Sequence, residues 1–89
     1  MSAFSISFLA RPGCHLCDEA RPLILWAAAK EKVAVVEVDV DRDDELLGVY
    51  GLRIPVVLGS NRDVLAEGVI DDRRAMRRSI RKAAKSQPE

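Results

Sequence analysis

An 89-residue chain with 48% apolar residues can fill one hydrophobic core and not two, so a single domain over 1–89, fraying from about residue 86, is expected. Fourteen basic residues balance fourteen acidic ones, which excludes a global field directing the chain to nucleic acid or to an anionic membrane. No apolar run approaches the ~20 residues of a membrane helix, and the N-terminus lacks the basic start and apolar block of a secretion signal, so a soluble cytoplasmic protein is expected.

Phe4, Ile6 and Phe8 alternate with Ser5, Ser7 and Leu9, the period of two of a first strand. Pro12-Gly13 ends it. From Cys14 the apolar positions Leu16, Cys17, Ala20, Leu23, Ile24 and Ala27 recur at helical spacing to about Lys30, with Pro22 predicting a kink one turn beyond Cys17. Residues 33–40 are dense in β-branched side chains, which predicts a central strand, parallel to its neighbour and buried on both faces. Asp43, Asp44 and Glu45 suit the first turn of a short helix through Val49, with Gly51 near its end. Residues 54–58 and 63–67 read as two short strands joined by Gly59-Ser60-Asn61-Arg62 and closed by Gly68. A last helix, capped by Asp71 or Asp72, buries Met76, Ile80 and Ala83 or Ala84 before a tail around Ser86-Gln87-Pro88. The order is strand-helix-strand-helix-strand-strand-helix, an α/β fold without internal repeat.

The chain has two cysteines, and they stand three apart in Arg11-Pro12-Gly13-Cys14-His15-Leu16-Cys17-Asp18. In a reducing compartment such a pair is catalytic or metal-binding more often than a permanent staple. A thiol attacks as the thiolate, and a sulfur at a helix start meets unpaired backbone N–H groups and the positive end of the dipole, with Arg11 near enough in sequence to add a cation. Asp18 and Glu19 oppose this, but as helix residues they point toward solvent. Spacing of i and i+3 places both sulfurs on one face of the first turn. Cys14 is thus the exposed attacker; Cys17, on the apolar stripe with Ala20, Ile24 and Ala27, is the buried resolving thiol. His15 reads as tuning the reduction potential or as simply solvent-exposed, rather than as base or ligand. Two thiolates and one imidazole leave a zinc site short of its fourth ligand, so no metal is assigned.

These residues carry a resemblance. The chain is similar to the glutaredoxin-like branch of the thioredoxin superfamily, close to small bacterial proteins with a Cys-x-Leu-Cys centre, through residues 11–20, Val38-Asp39-Val40-Asp41 and Tyr50-Gly51-Leu52-Arg53-Ile54-Pro55-Val56. Pro22, five after the second cysteine, also matches the kinking proline of the thioredoxin active-site helix. The resemblance implies a thioredoxin-like four-stranded mixed sheet flanked by helices. It implies a cis-Pro55 lying against the cysteines, with the backbone of Ile54 offered to the substrate. It makes Arg11 and Asp71 the candidate glutathione contacts, and Arg53, Ile54 and Pro55 further candidate substrate- or glutathione-binding residues. Where glutaredoxins have a threonine two before the cis proline, this chain has Arg53; where they have Gly-Gly-Cys-Ser/Thr-Asp, it has Glu67-Gly68-Val69-Ile70-Asp71.

The implied activity is dithiol reduction of disulfides in proteins or glutathione mixed disulfides, by a monomer with glutathione as co-substrate and no tightly bound cofactor. Two alternatives use other chemistry. One is a dimer holding an iron-sulfur cluster through Cys14 and glutathione. The other is a docking module without turnover, working through the basic last helix, where Arg73, Arg74, Arg77, Arg78, Arg81, Lys82 and Lys85 gather half of all basic residues. That helix reads first as a solvated face and second as a surface for an acidic protein; with no interleaved aromatic it offers nucleic acid no stacking platform. Trp26 reads as packing, and Asp39, Asp41, Asp43, Asp44 and Glu45 as strand-end and cap charges.

Overall fold

The computed structural model describes residues 4–85, so the tail expected around residues 86–88 lies outside the described residues. Its elements are β1 (Ser5–Ala10), α1 (His15–Lys30), β2 (Ala34–Asp39), a 3-10 turn (Val40–Arg42), α2 (Asp44–Tyr50), β3 (Val56–Leu58), β4 (Val64–Glu67) and α3 (Arg73–Lys85). The sheet order is β2-β1-β3-β4, with β1 and β2 parallel and the other two pairs antiparallel. This is the α/β order read from the sequence, in the mixed four-stranded sheet that the resemblance implied.

Pleating sorts the core into two layers. Ile6, Phe8 and Ala10 of β1 and Val57 of β3 point to one face, where they meet Cys17, Ala20, Ile24 and Ala27 of α1 and Met76 and Ile80 of α3. Leu9, Val56 and Leu58 point to the other, against Val40 and Tyr50. Helices α1 and α3 therefore cover one side and the short α2 the other. Gly51, at the end of α2, is required because a Cβ would lie 2.5 Å from the Leu47 carbonyl oxygen.

The strand expected at the centre is an edge. β2 pairs with β1 alone, and Val36 on it is half exposed. Its β-branched density reflects pairing and packing along one side of each face: Val35 joins the α1 layer and Val38 the α2 layer, while the seven-residue α2 leaves Val36 uncovered. β1 takes the central place, and its last residues are buried on both faces. Helix α1 runs unbroken through Pro22 over its 16 residues.

Caps settle the other ends. Asp43 accepts from the Leu46 N–H at 3.0 Å to start α2. Of the two candidates for α3, it is Asp72 that accepts, from Arg74 and Ala75, and those N–H groups hold its carboxyl below the usual range. At the far end of α1, Glu31 accepts from Arg77 at 2.6 Å and from Arg81 at 3.1 Å, which pulls its carboxyl down to about 2. Arg73 lies 4.6 Å from the Trp26 ring. Three of the basic side chains of α3 are thus engaged within the fold, and Trp26 packs against the core from the helix flank. Among the described residues no helix is long and apolar enough to cross a membrane.

Candidate active site

Strand register brings four chain segments to one end of the sheet. Leu9 faces both Val38 and Val56, Ala10 faces Asp39, and Val56 faces Glu67, so β1, β2 and β4 end where β3 begins. In open α/β sheets the crevice outside the carboxyl ends of the parallel strands is where ligands bind. The segments that emerge there carry Arg11 and Cys14, Asp41, Ile54-Pro55, and Gly68 to Asp71.

Chain reversal after β1 is made by Pro12-Gly13. Gly13 has φ +80°, a left-handed conformation that side chains resist, and the Cys14 N–H donates to the Arg11 carbonyl at 3.3 Å. Cys14 is then the N-cap of α1, extended at φ −85° and ψ 106°, and its Sγ accepts from the Cys17 N–H at 3.1 Å. The two cysteines are joined as a disulfide, their Cα atoms 5.2 Å apart. Cys17 is fully buried in the α1 layer, while Cys14 packs against that layer and keeps part of its surface in solvent. The pair is asymmetric in exposure and in hydrogen bonding.

The charges nearby are mostly paired. Arg11 makes a two-pronged contact with Asp41, which raises its already high pKa. Arg53 donates to Glu67 at 2.7 Å and lies 5.1 Å from the Tyr50 ring. Asp18 accepts from Arg21, whose other nitrogens reach Glu37, so the acid that opposes a thiolate at Cys14 is compensated. His15 points outward, 3.2 Å from Glu19 and 83% exposed. Among the described residues no group of three or more His, Cys, Asp or Glu side chains is placed to hold a metal ion.

The Ile54–Pro55 bond is cis. Pro55 is fully buried and its carbonyl accepts from the Gly68 N–H at 2.9 Å, tying the start of β3 to the end of β4. Ile54 touches both core layers, the first of which also receives Cys14. Its N–H donates to the Tyr50 carbonyl at 3.1 Å; the backbone of this residue is what the resemblance offers to a substrate.

Arg11 and Asp71 have separate surroundings at this end of the sheet. Arg11 is held at the end of edge strand β2 through Asp41, whereas Asp71 follows the opposite edge strand, β4, and lines a groove against α1 with Leu16, Glu19, Leu23, Val69 and Ile70. The partners Asp41 and Glu67 escaped the sequence reading, because they lie 30 and 14 residues from their arginines and no local pattern encodes such pairs. The groove escaped it too. Its walls come from separate elements, although the spacing 16, 19, 23 on a helix was a signal for one of them.

A family model described as Glutaredoxin-like domain (DUF836) matches residues 5–83. No curated protein shows significant sequence similarity to the chain. Among solved structures, the structural-genomics target protein XcR50 from X. campestris is 28% identical, with 93% of this chain and 99% of that one covered and a TM-score of 0.66. Protein Ne2328 from Nitrosomonas europaea is 25% identical over 80% of this chain and 85% of its own, also with a TM-score of 0.66. A mutant thioredoxin from Halobacterium salinarum NRC-1 is 23% identical over 98% and 80%, with a TM-score of 0.67, and shows the shared fold.

Proposed function

The chain belongs to the glutaredoxin-like domain family, and from that premise we propose that it is a thiol-disulfide oxidoreductase in which Cys14 attacks and Cys17 resolves. The asymmetry of the pair carries this reading. The N–H of Cys17 that caps α1 through the sulfur of Cys14 faces a thiolate equally well when the disulfide is open, and charge-assisted bonds of this kind are the stronger ones. Cys17 has no comparable solvent access, since its relative exposure is 0%.

In the cycle, the Cys14 thiolate attacks one sulfur of a substrate disulfide, forms the mixed disulfide and expels the other sulfur as a thiolate. Cys17, giving up its proton to solvent or to the expelled thiolate, then attacks the Cys14 sulfur. The internal disulfide forms and the second substrate sulfur leaves. Two electrons pass to the substrate, and an external thiol or dithiol reductant restores the pair. The separation of 5.2 Å between Cα atoms lets the bond form and open within one helical turn. Glutathione is the candidate co-substrate, and a reducing cytoplasm the fitting compartment.

The test is turnover of a protein disulfide by the wild-type chain, recycled once by glutathione with glutathione reductase and once by thioredoxin with thioredoxin reductase. Sustained NADPH consumption that depends on the chain is expected with one of the two systems. No chain-dependent consumption with either contradicts the assignment.

A further inference from the structure

The groove beside the cysteine pair has a chemistry of its own. Leu16, Glu19 and Leu23 share one face of α1, starting in the turn that Cys14 caps, and Val69, Ile70 and Asp71 form the facing wall. Four of these six side chains are apolar, two are carboxylates, and none is a cation. Val69 is 67% exposed and Leu16 39%, so apolar surface stands in water beside the first turn of the helix that Cys14 caps.

Charges around the groove add to its preference. Glu19 has exposed His15 as its partner, and Asp71 stands beside Asp72, whose carboxylate is turned to the α3 N-terminus. Arg73, the next residue along, lies over Trp26. The two arginines at the site end of the sheet are spent, Arg11 on Asp41 and Arg53 on Glu67. Glutathione carries two carboxylates and one ammonium. It would bring net negative charge to a groove lined by acids, past cations that already hold internal partners.

We propose that, given the redox role assigned above, the groove selects a polypeptide disulfide whose cysteine is flanked by apolar and basic residues, in preference to glutathione. The apolar flank covers Leu16, Leu23, Val69 and Ile70, and the basic flank meets Glu19 and Asp71. The exchange itself is unchanged: the peptide sulfur joins Cys14, its former partner thiol leaves, and Cys17 then releases the peptide thiol.

The probes are two six-residue peptides, one with leucine and lysine around its single cysteine and one with serine and glutamate, each as a mixed disulfide with cysteamine, and glutathione disulfide as the third. Pre-reduced protein is oxidised by each in a single turnover. The leucine-lysine peptide is expected to react about tenfold faster than either rival. In Glu19→Lys/Asp71→Lys, both positions being exposed, the order of the two peptides should reverse, which a merely structural effect would not produce. Equal rates, or faster oxidation by glutathione disulfide, overturn the groove assignment and leave the oxidoreductase standing. Failure of all three to oxidise the protein removes the redox reading and this inference with it.

Discussion

Replacing Cys14 by serine is expected to lower kcat/KM for disulfide reduction by about a thousandfold or more, because the hydroxyl is neither ionised at neutral pH nor able to form the mixed disulfide. The fold should survive the change. Serine is a good N-cap, and its oxygen can take the Cys17 N–H that the sulfur now accepts. Cys17→Ser should behave differently. The attacking thiol remains, so a first exchange proceeds, and the product stalls as a mixed disulfide on Cys14 that only an added thiol can release. Steady-state assays of both variants, with circular dichroism to confirm folding, separate the two roles; equal and full activity in both would sink the assignment.

Phe8→Ala is expected to cost about 3–5 kcal/mol, the largest stability loss of any single truncation in the sheet. Phe8 is completely buried on the central strand, between α1 and α3, with the Arg21 guanidinium 5.5 Å from its ring. Removing the ring leaves a void that neither helix can close without breaking contacts with Ile24 and Ile80. For a domain of this size, whose total stability is typically about 5–15 kcal/mol, that is a drop in Tm of more than about 12 °C. Leu52→Ala is the control: that side chain is 102% exposed, and its loss should fall within about 0.5 kcal/mol. Thermal unfolding of the two variants measures the contrast, and a Phe8→Ala protein as stable as Leu52→Ala would contradict the packing described.

Most of the architecture was legible because local chemistry and global position agree. The apolar stripe after Cys14 announces α1, the acids before Leu46 announce α2, and the Gly59 to Arg62 loop announces the hairpin. What local pattern cannot carry is strand order. Residues 34–39 look like a buried strand because β-branched residues suit any pleated surface, and only the pairing of β1 with β3 reveals that β2 is left at the edge. The site divides in the same way. Cys14 and Cys17 are three residues apart and their roles follow from one helical turn. The environment of Arg11, Arg53 and Asp71 depends on residues far along the chain. Arg11 and Asp71, the candidate glutathione contacts of the resemblance, follow different strands, and the arginines at the site are held by Asp41 and Glu67. The exposed Val69 and the partly buried Ile70 gain meaning only beside Leu16.

The central claim is that the two cysteines are chemically unequal, one presented and one withheld. Its most direct test is the rate at which each is alkylated when the fully reduced wild-type protein meets a limiting pulse of iodoacetamide at pH 7, read by peptide mass spectrometry. Cys14 should be modified at least about tenfold faster than Cys17. Equal rates, or faster modification of Cys17, would contradict the account.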